Sequence, residues 1–215
     1  MRKEIFIQQK TIYRLTWLSR LILLGFFLLL SFITLKYLPY YLSKNVPVHG
    51  EILVLDGQMP DYAIEAAIER MKTESYRLVL TTGSNLPEGY YISGIKTMAD
   101  LSRATFLALG FDSTKVIAIP TKFVARNRTF NSANTLNEWL KTNHPEIQSI
   151  DVLTVGCHAR RSWYLFHKAL GEQMNVGIIS LDHPGYDNKT WWKSSIGART
   201  VISETIAYFY IRLTT

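Results

Sequence analysis

The stretch Ile150-Asp-Val-Leu-Thr-Val155, followed directly by Gly156-Cys-His-Ala-Arg-Arg161, decides how this chain folds. Its first half is a short run of branched apolar residues, the pattern of a buried strand. Its second half opens a helical pattern over about 158–170, and another apolar run follows at 176–181. Strand, helix and strand in such quick succession make one unit of a parallel sheet, because parallel neighbours need a crossover between them.

The same alternation continues outward toward the N-terminus. Lys115-Val-Ile-Ala-Ile119 predicts a strand stopped by Pro120, followed after a long loop by a helix near 131–142 with Ala133, Leu136 and Leu140 inward. Arg77-Leu-Val-Leu-Thr-Thr82 predicts another strand, ending at Gly83, with a helix over about 96–109 after it. Glu51-Ile-Leu-Val-Leu-Asp56 predicts the first strand, buried on both faces, and a helix from about Asp61 carries Ala63, Ala66, Ala67 and Met71 on one stripe. A last helix near 195–213 sets Ile202, Ile206, Phe209 and Leu213 on one stripe.

Five strands with helices between them predict a Rossmann-like, three-layer α/β/α domain with a mainly parallel, doubly wound sheet. In such sheets ligands bind where strand C-termini meet helix N-termini at a switch in strand order. Candidate residues are therefore sought after Leu55, Thr82, Ile119 and Val155.

Charge locates a second feature. Of the 24 basic and 17 acidic side chains, residues 1–44 hold seven and one, so six units of the formal +7 lie there and the remaining 17 and 16 leave the rest at +1. A nearly neutral domain lacks the basic face that nucleic acid requires, and no nucleic-acid partner is expected. Between Arg20 and Lys36 lie fifteen residues without a charge. Extended to 18–38, the run covers about 31 Å as a helix, enough to cross a hydrocarbon core, with Arg20 and Lys36 near its ends and Trp17, Tyr37, Tyr40 and Tyr41 as interfacial aromatics. A cleaved signal peptide has a similar start but needs small residues after the apolar run, and Lys36-Tyr-Leu-Pro-Tyr-Tyr-Leu-Ser offers none. The expected organisation is a cytoplasmic 1–17, an uncleaved transmembrane anchor at 18–42, a linker at 43–50 and an α/β domain at 51–215. The five basic residues of 1–20 place the N-terminus in the cytoplasm and the domain outside, on an inner or plasma membrane.

Four constellations carry candidate chemistry. In Gly156-Cys157-His158-Ala159-Arg160-Arg161, His158 and Arg161 share a helix face while Arg160 points about 100° away. The helix N-terminus adds free N–H groups, so His158 and Arg161 suit a phosphate or carboxylate; alternatively His158 caps the helix and the arginines are solvated or pair with acids elsewhere. Asp56 and Gly57 sit at the end of the first strand, Asp56 as a general base, a hydroxyl acceptor or a turn acid, with Asp61 the better helix cap. Thr82, Gly83 and Ser84 offer hydroxyls and a close backbone approach to a ligand. In the 120–134 loop, Arg126 and Arg128 bring two cations to the same edge, with Thr129 as the cap of the next helix. Glu204 lies in the last helix, and Trp191-Trp192 before it suit either a ligand wall or core packing. No P-loop, dinucleotide fingerprint, zinc-protease motif or nucleophile elbow is present, no metal-ligand set is read, and no cofactor is identified. Cys157 beside His158 reads as a buried thiol before it reads as a nucleophile.

Together with the preceding strand and the anchor, His158-Ala-Arg-Arg161 resembles the SanA/ElyC/YdcF family of bacterial envelope proteins. Its pattern is matched by Asp56-Gly57, by Thr82-Gly83, by Thr129 with Ala133, and by His158 with Arg161. A subgroup is closer still, through Asp56-Gly57-Gln58-Met59-Pro60-Asp61, His158-Ala159-Arg160-Arg161-Ser162, Trp191-Trp192-Lys193-Ser194-Ser195 and Glu204-Thr205-Ile206-Ala207-Tyr208. The resemblance covers about 50–212 and implies a Rossmann-like domain tied to the cell envelope, in a family whose reaction is not settled. The expected partners are the lipid bilayer and an anionic small-molecule or lipid-linked ligand, held by Arg126, Arg128 and Arg161, with His158 and Asp56 as the acid–base pair of a hydrolase or transferase. The alternative is a non-catalytic sensing or docking module.

Overall fold

A computed structural model describes residues 13–214. Most of the expected cytoplasmic segment, residues 1–12, and Thr215 lie outside the described residues. The described chain divides into two compact units, which meet between Tyr37 and Leu38.

The first unit contains most of helix α1 (Trp17–Leu42). This helix is long and apolar enough to cross a membrane. Its last residues, from Leu38, belong to the second unit, where Leu42 is fully buried. Residues 43–50, read from the sequence as a linker, are fastened to the sheet. Val46 pairs with Ile178 as an antiparallel bridge, and the Val48 and Gly50 N–H groups donate to the Asp151 carboxylate at 2.8 Å each.

The second unit is an α/β fold. Its strands are β1 (Ile52–Leu55), β2 (Leu78–Gly83), β3 (Val116–Pro120), β4 (Ser149–Val155) and β5 (Asn175–Leu181). They form one parallel sheet in the order β3-β2-β1-β4-β5. The chain starts at the centre, runs to one edge and returns to the far side of β1, so the order switches between β1 and β4. Apolar residues on both faces of β1 explain why it is central. Ile52 and Val54 pack with helices α4 (Arg128–Asn143) and α5 (Ala159–Leu170), while Leu53 and Leu55 pack with α2 (Asp61–Thr73) and α3 (Met98–Ala108). All four are fully buried, each contributing about 2 kcal/mol of hydrophobic stabilisation.

Element boundaries differ from expectation where local chemistry overrides pattern. Helix α4 begins at Arg128, three residues early, because Asn127 takes a left-handed conformation (φ 54°) that asparagine tolerates, and its carbonyl accepts the Asn131 N–H at 3.0 Å. Thr129 is thus in the first turn and does not cap the helix. Helix α2 is preceded by Pro60, whose carbonyl accepts the Ala63 N–H; Asp61, expected as the cap, is the first helical residue, where its charge complements the helix dipole. In helix α6 (Ser195–Thr214), Val201, Tyr208 and Ile211 are buried. Its stripe of Ile202, Ile206, Phe209 and Leu213 is exposed.

Candidate functional site

Asp56 follows β1 at the strand-order switch. The next residue, Gly57, has φ 77°, a left-handed conformation that strains any side chain, and this lets the chain turn sharply off the sheet. Thr82 fixes that turn. Its hydroxyl donates to the Leu55 carbonyl at 2.9 Å and accepts the Gly57 N–H at 3.4 Å.

Across the switch, β4 passes through a 3-10 turn (Gly156–His158) into α5. Arg161 and Ser162, three and four residues beyond His158, fall on its side of the helix. His158 Nε2 lies 3.2 Å from Asp56 Oδ2, and its Nδ1 lies 3.2 Å from Glu204 Oε1 on α6. Arg161 grips Glu204 through both oxygens, Nε to Oε2 at 2.8 Å and Nη2 to Oε1 at 2.9 Å. Ser162 Oγ donates to the same Oδ2 of Asp56 that meets His158.

Hydrogen bonds within the cluster outweigh burial at His158 and at Glu204. Burial alone would push His158 down, but its hydrogen bonds to Asp56 and Glu204 outweigh that, and it is raised to about 9. Burial would raise Glu204, yet hydrogen bonds from His158 and Arg161 hold it at about 2. Arg161 Nη2 is also 2.9 Å from His158 Nδ1. With the ring doubly protonated at neutral pH, Nδ1 cannot accept from Arg161; the two donors converge on Glu204 Oε1 instead. Both ring nitrogens are therefore committed to carboxylates.

The cluster borders a cavity of about 1000 Å³. Asp56, Gly57, Gly83, Ser84, Arg128, Thr129, His158 and Arg161, all expected from the sequence, line it. Met59, Met98, Leu165, Ala207 and Ile211 supply apolar wall. Arg128 and Thr129 open α4, and His158 immediately precedes α5, so two helix N-termini face this space, an arrangement suited to an anion. Three expected residues do not line it. Thr82 is buried with its hydroxyl used as above, Arg126 is exposed to solvent, and Glu204 stands behind His158 and Arg161 as their counter-charge. Arg160 points elsewhere, its guanidinium 3.7 Å over the Tyr41 ring. Trp191 is buried in the core beside Leu42, Cys157, Val201 and Tyr208, and Trp192 is half exposed; neither lines the cavity.

Two contributors were missed from sequence. Ser162 stands four residues after His158, so helical spacing could have found it. His183, after the end of β5, lines the cavity, with its Nδ1 accepting the Gly185 N–H at 3.0 Å and its ring stacked on Tyr186. His183 lies two residues beyond β5 in a loop where no motif marks it. Among the described residues, no group of three or more His, Cys, Asp or Glu is placed to hold a metal ion. In comparisons with known proteins, no family model and no curated protein matches the chain.

Proposed function

We propose that this chain is a single-pass envelope protein of the inner or plasma membrane, with a cytoplasmic N-terminus and an extracytoplasmic α/β domain, as its resemblance to the SanA/ElyC/YdcF family implies. Its cavity binds an anionic ligand, a phosphorylated or lipid-linked envelope intermediate, on which it acts as a hydrolase or transferase. The observation that carries this reading is His158, held between Asp56 and Glu204 at the edge of a cavity that Arg128 and two helix N-termini also face.

Each group then has a role. Arg128 and the first N–H groups of α4 take the anion. Asp56 meets the ligand through Oδ1, because Oδ2 is engaged by Ser162 and His158, and it exchanges a proton with His158 Nε2 behind it. Glu204 and Arg161 hold the imidazole in position. A second reading, a ligand sensor without turnover, is favoured by one specific feature: both nitrogens of His158 and the Nε and Nη2 of Arg161 are already spent on internal partners.

Mass spectrometry of whatever the detergent-solubilised full chain retains tests the binding claim. A phosphate-bearing species is expected with the wild type and should be lost in Arg128→Ala; a retained neutral species would overturn the anionic reading. With that species in hand, Asp56→Asn separates the two readings. An enzyme keeps binding but loses turnover, whereas a sensor shows no turnover even in the wild type. A reporter fused at the C-terminus reports the compartment.

A further inference from the structure

The face of α6 opposite the core is apolar and uncovered. Ile202, Ile206, Phe209 and Leu213 are spaced at four, three and four residues, so they lie on one side of the helix, and they are 52, 66, 52 and 86% exposed. Ser195 and Arg199 continue the same line, which contains no acidic side chain. A helix face of this kind, apolar along its length with Arg199 toward one end and Arg212 toward the other, fits an interface between water and lipid.

The surroundings of the stripe say what covers it. Tyr208, next to Phe209, holds the end of α1 inside the second unit: its ring is 6.0 Å from that of Tyr41, edge to face, and the two hydroxyls are 3.4 Å apart. Tyr41 stands in the last turn of α1, the helix long and apolar enough to cross a membrane. The same neighbourhood carries three cations laid on aromatic rings, Arg160 over Tyr41, Arg212 over Tyr164 and Lys44 over Trp163. Basic and aromatic side chains gathered where a chain enters an apolar span are the composition of a headgroup belt.

We propose that the exposed stripe of α6 seats on the lipid leaflet that the chain's own apolar helix enters, with Lys44, Arg160 and Arg212 facing its headgroups. This rests on reading α1 as a membrane span. Tyr210, which flanks the stripe, also lines the cavity, so the seated domain holds its binding site next to the headgroups, where a ligand with a lipid tail is delivered.

The test uses the full chain in phosphatidylcholine/phosphatidylglycerol vesicles, with Cys157→Ser and one new cysteine at a time bearing an environment-sensitive fluorophore. Labels go at Ile206→Cys and Phe209→Cys on the stripe, Leu24→Cys in α1 and Thr142→Cys on exposed α4. Nitroxide lipids are the quencher. Blue-shifted emission, mostly lost to the quencher at 206 and 209 but untouched at 142, is the expected result. Quenching at 24 without quenching at 206 and 209 overturns the seating but spares the span. No quenching at 24 removes the span and the seating with it. A blue shift at 206 that lipid quenchers leave intact means protein covers the stripe, a second copy of the chain being the first candidate, and also overturns the proposal.

Discussion

Glu204 binds Arg161 side-on through both carboxylate oxygens, at 2.8 and 2.9 Å, although 43 residues separate them and they lie on different helices. The pair is largely shielded, with side-chain exposures of 16 and 22%. It fastens α6 to α5 and at the same time gives His158 its counter-charge. Removing one partner leaves the other charge uncompensated, a loss far larger than that of a surface ion pair.

Glu204→Gln is therefore expected to destabilise the domain by about 3 kcal/mol, the low end of the range for a broken buried pair. Arg161→Gln should cost a similar amount, and the double substitution less than the sum, with a coupling of about 1–3 kcal/mol. Denaturant unfolding of the three variants measures this. Strict additivity would mean the two residues do not act as a pair.

The same cluster sets the pH range of stability. His158, at about 9, lies above its ordinary 6.5, so its contribution is complete below pH 6.5 and fades as pH rises through 9. Glu204, at about 2, lies below its ordinary 4.5, so its contribution is complete above pH 4.5 and fades as pH falls toward 2. The two share one hydrogen bond and titrate together, so the losses are not independent. Unfolding free energy should be flat between about pH 4.5 and 6.5 and fall on both sides. In His158→Gln the alkaline fall should disappear; an unchanged alkaline limb would show that another group controls it.

The strands were legible because a central parallel strand must be apolar on both faces, and runs such as Ile52–Leu55 cannot serve a half-exposed sheet. The sheet edge was legible too, since Asp56, Gly83 and His158 each sit at or just beyond a strand's C-terminal end. Glu204 was picked out, but its pairing with Arg161 and His158 was not, because a contact between α5 and α6 leaves no local pattern. Nor does periodicity say which way a stripe faces: Ile202, Ile206, Phe209 and Leu213 keep the spacing of a core face and are nevertheless exposed. The start of α4 was hidden in the left-handed Asn127, which no apolar pattern marks.

Cys157 should be chemically silent in the folded protein. It is fully buried, and burial pushes its thiol up, further from the reactive thiolate. Its sulfur sits among the Pro39 carbonyl, the Ser43 hydroxyl and the Tyr186 hydroxyl. Ellman's reagent is expected to find no thiol in the native chain and one after denaturation. Rapid native labelling would show that the end of α1 opens away from α5.

Asp151 is an internal anchor outside the candidate site. It is fully buried and accepts three hydrogen bonds, from the N–H groups of Val48 and Gly50 at 2.8 Å and from the Tyr76 hydroxyl at 2.9 Å. These bonds tie the segment after α1 and the segment before β2 to the middle of the sheet. Gly177 on β5 makes room for them: a Cβ there would lie 1.8 Å from Asp151 Oδ1 and 2.6 Å from the Val48 nitrogen. Alanine at 177 must displace either the carboxylate or the backbone it holds. Gly177→Ala and Asp151→Ala are each expected to destabilise by about 3 kcal/mol or more, the second because three donors, two of them in buried bonds, lose their acceptor. Combining them should cost less than the sum of the singles, since the small residue at 151 removes the carboxylate clash at 177 and leaves only the contact with the Val48 nitrogen. A double variant as unstable as the sum of the singles would mean that the backbone at Val48, and not the carboxylate, is what Gly177 protects.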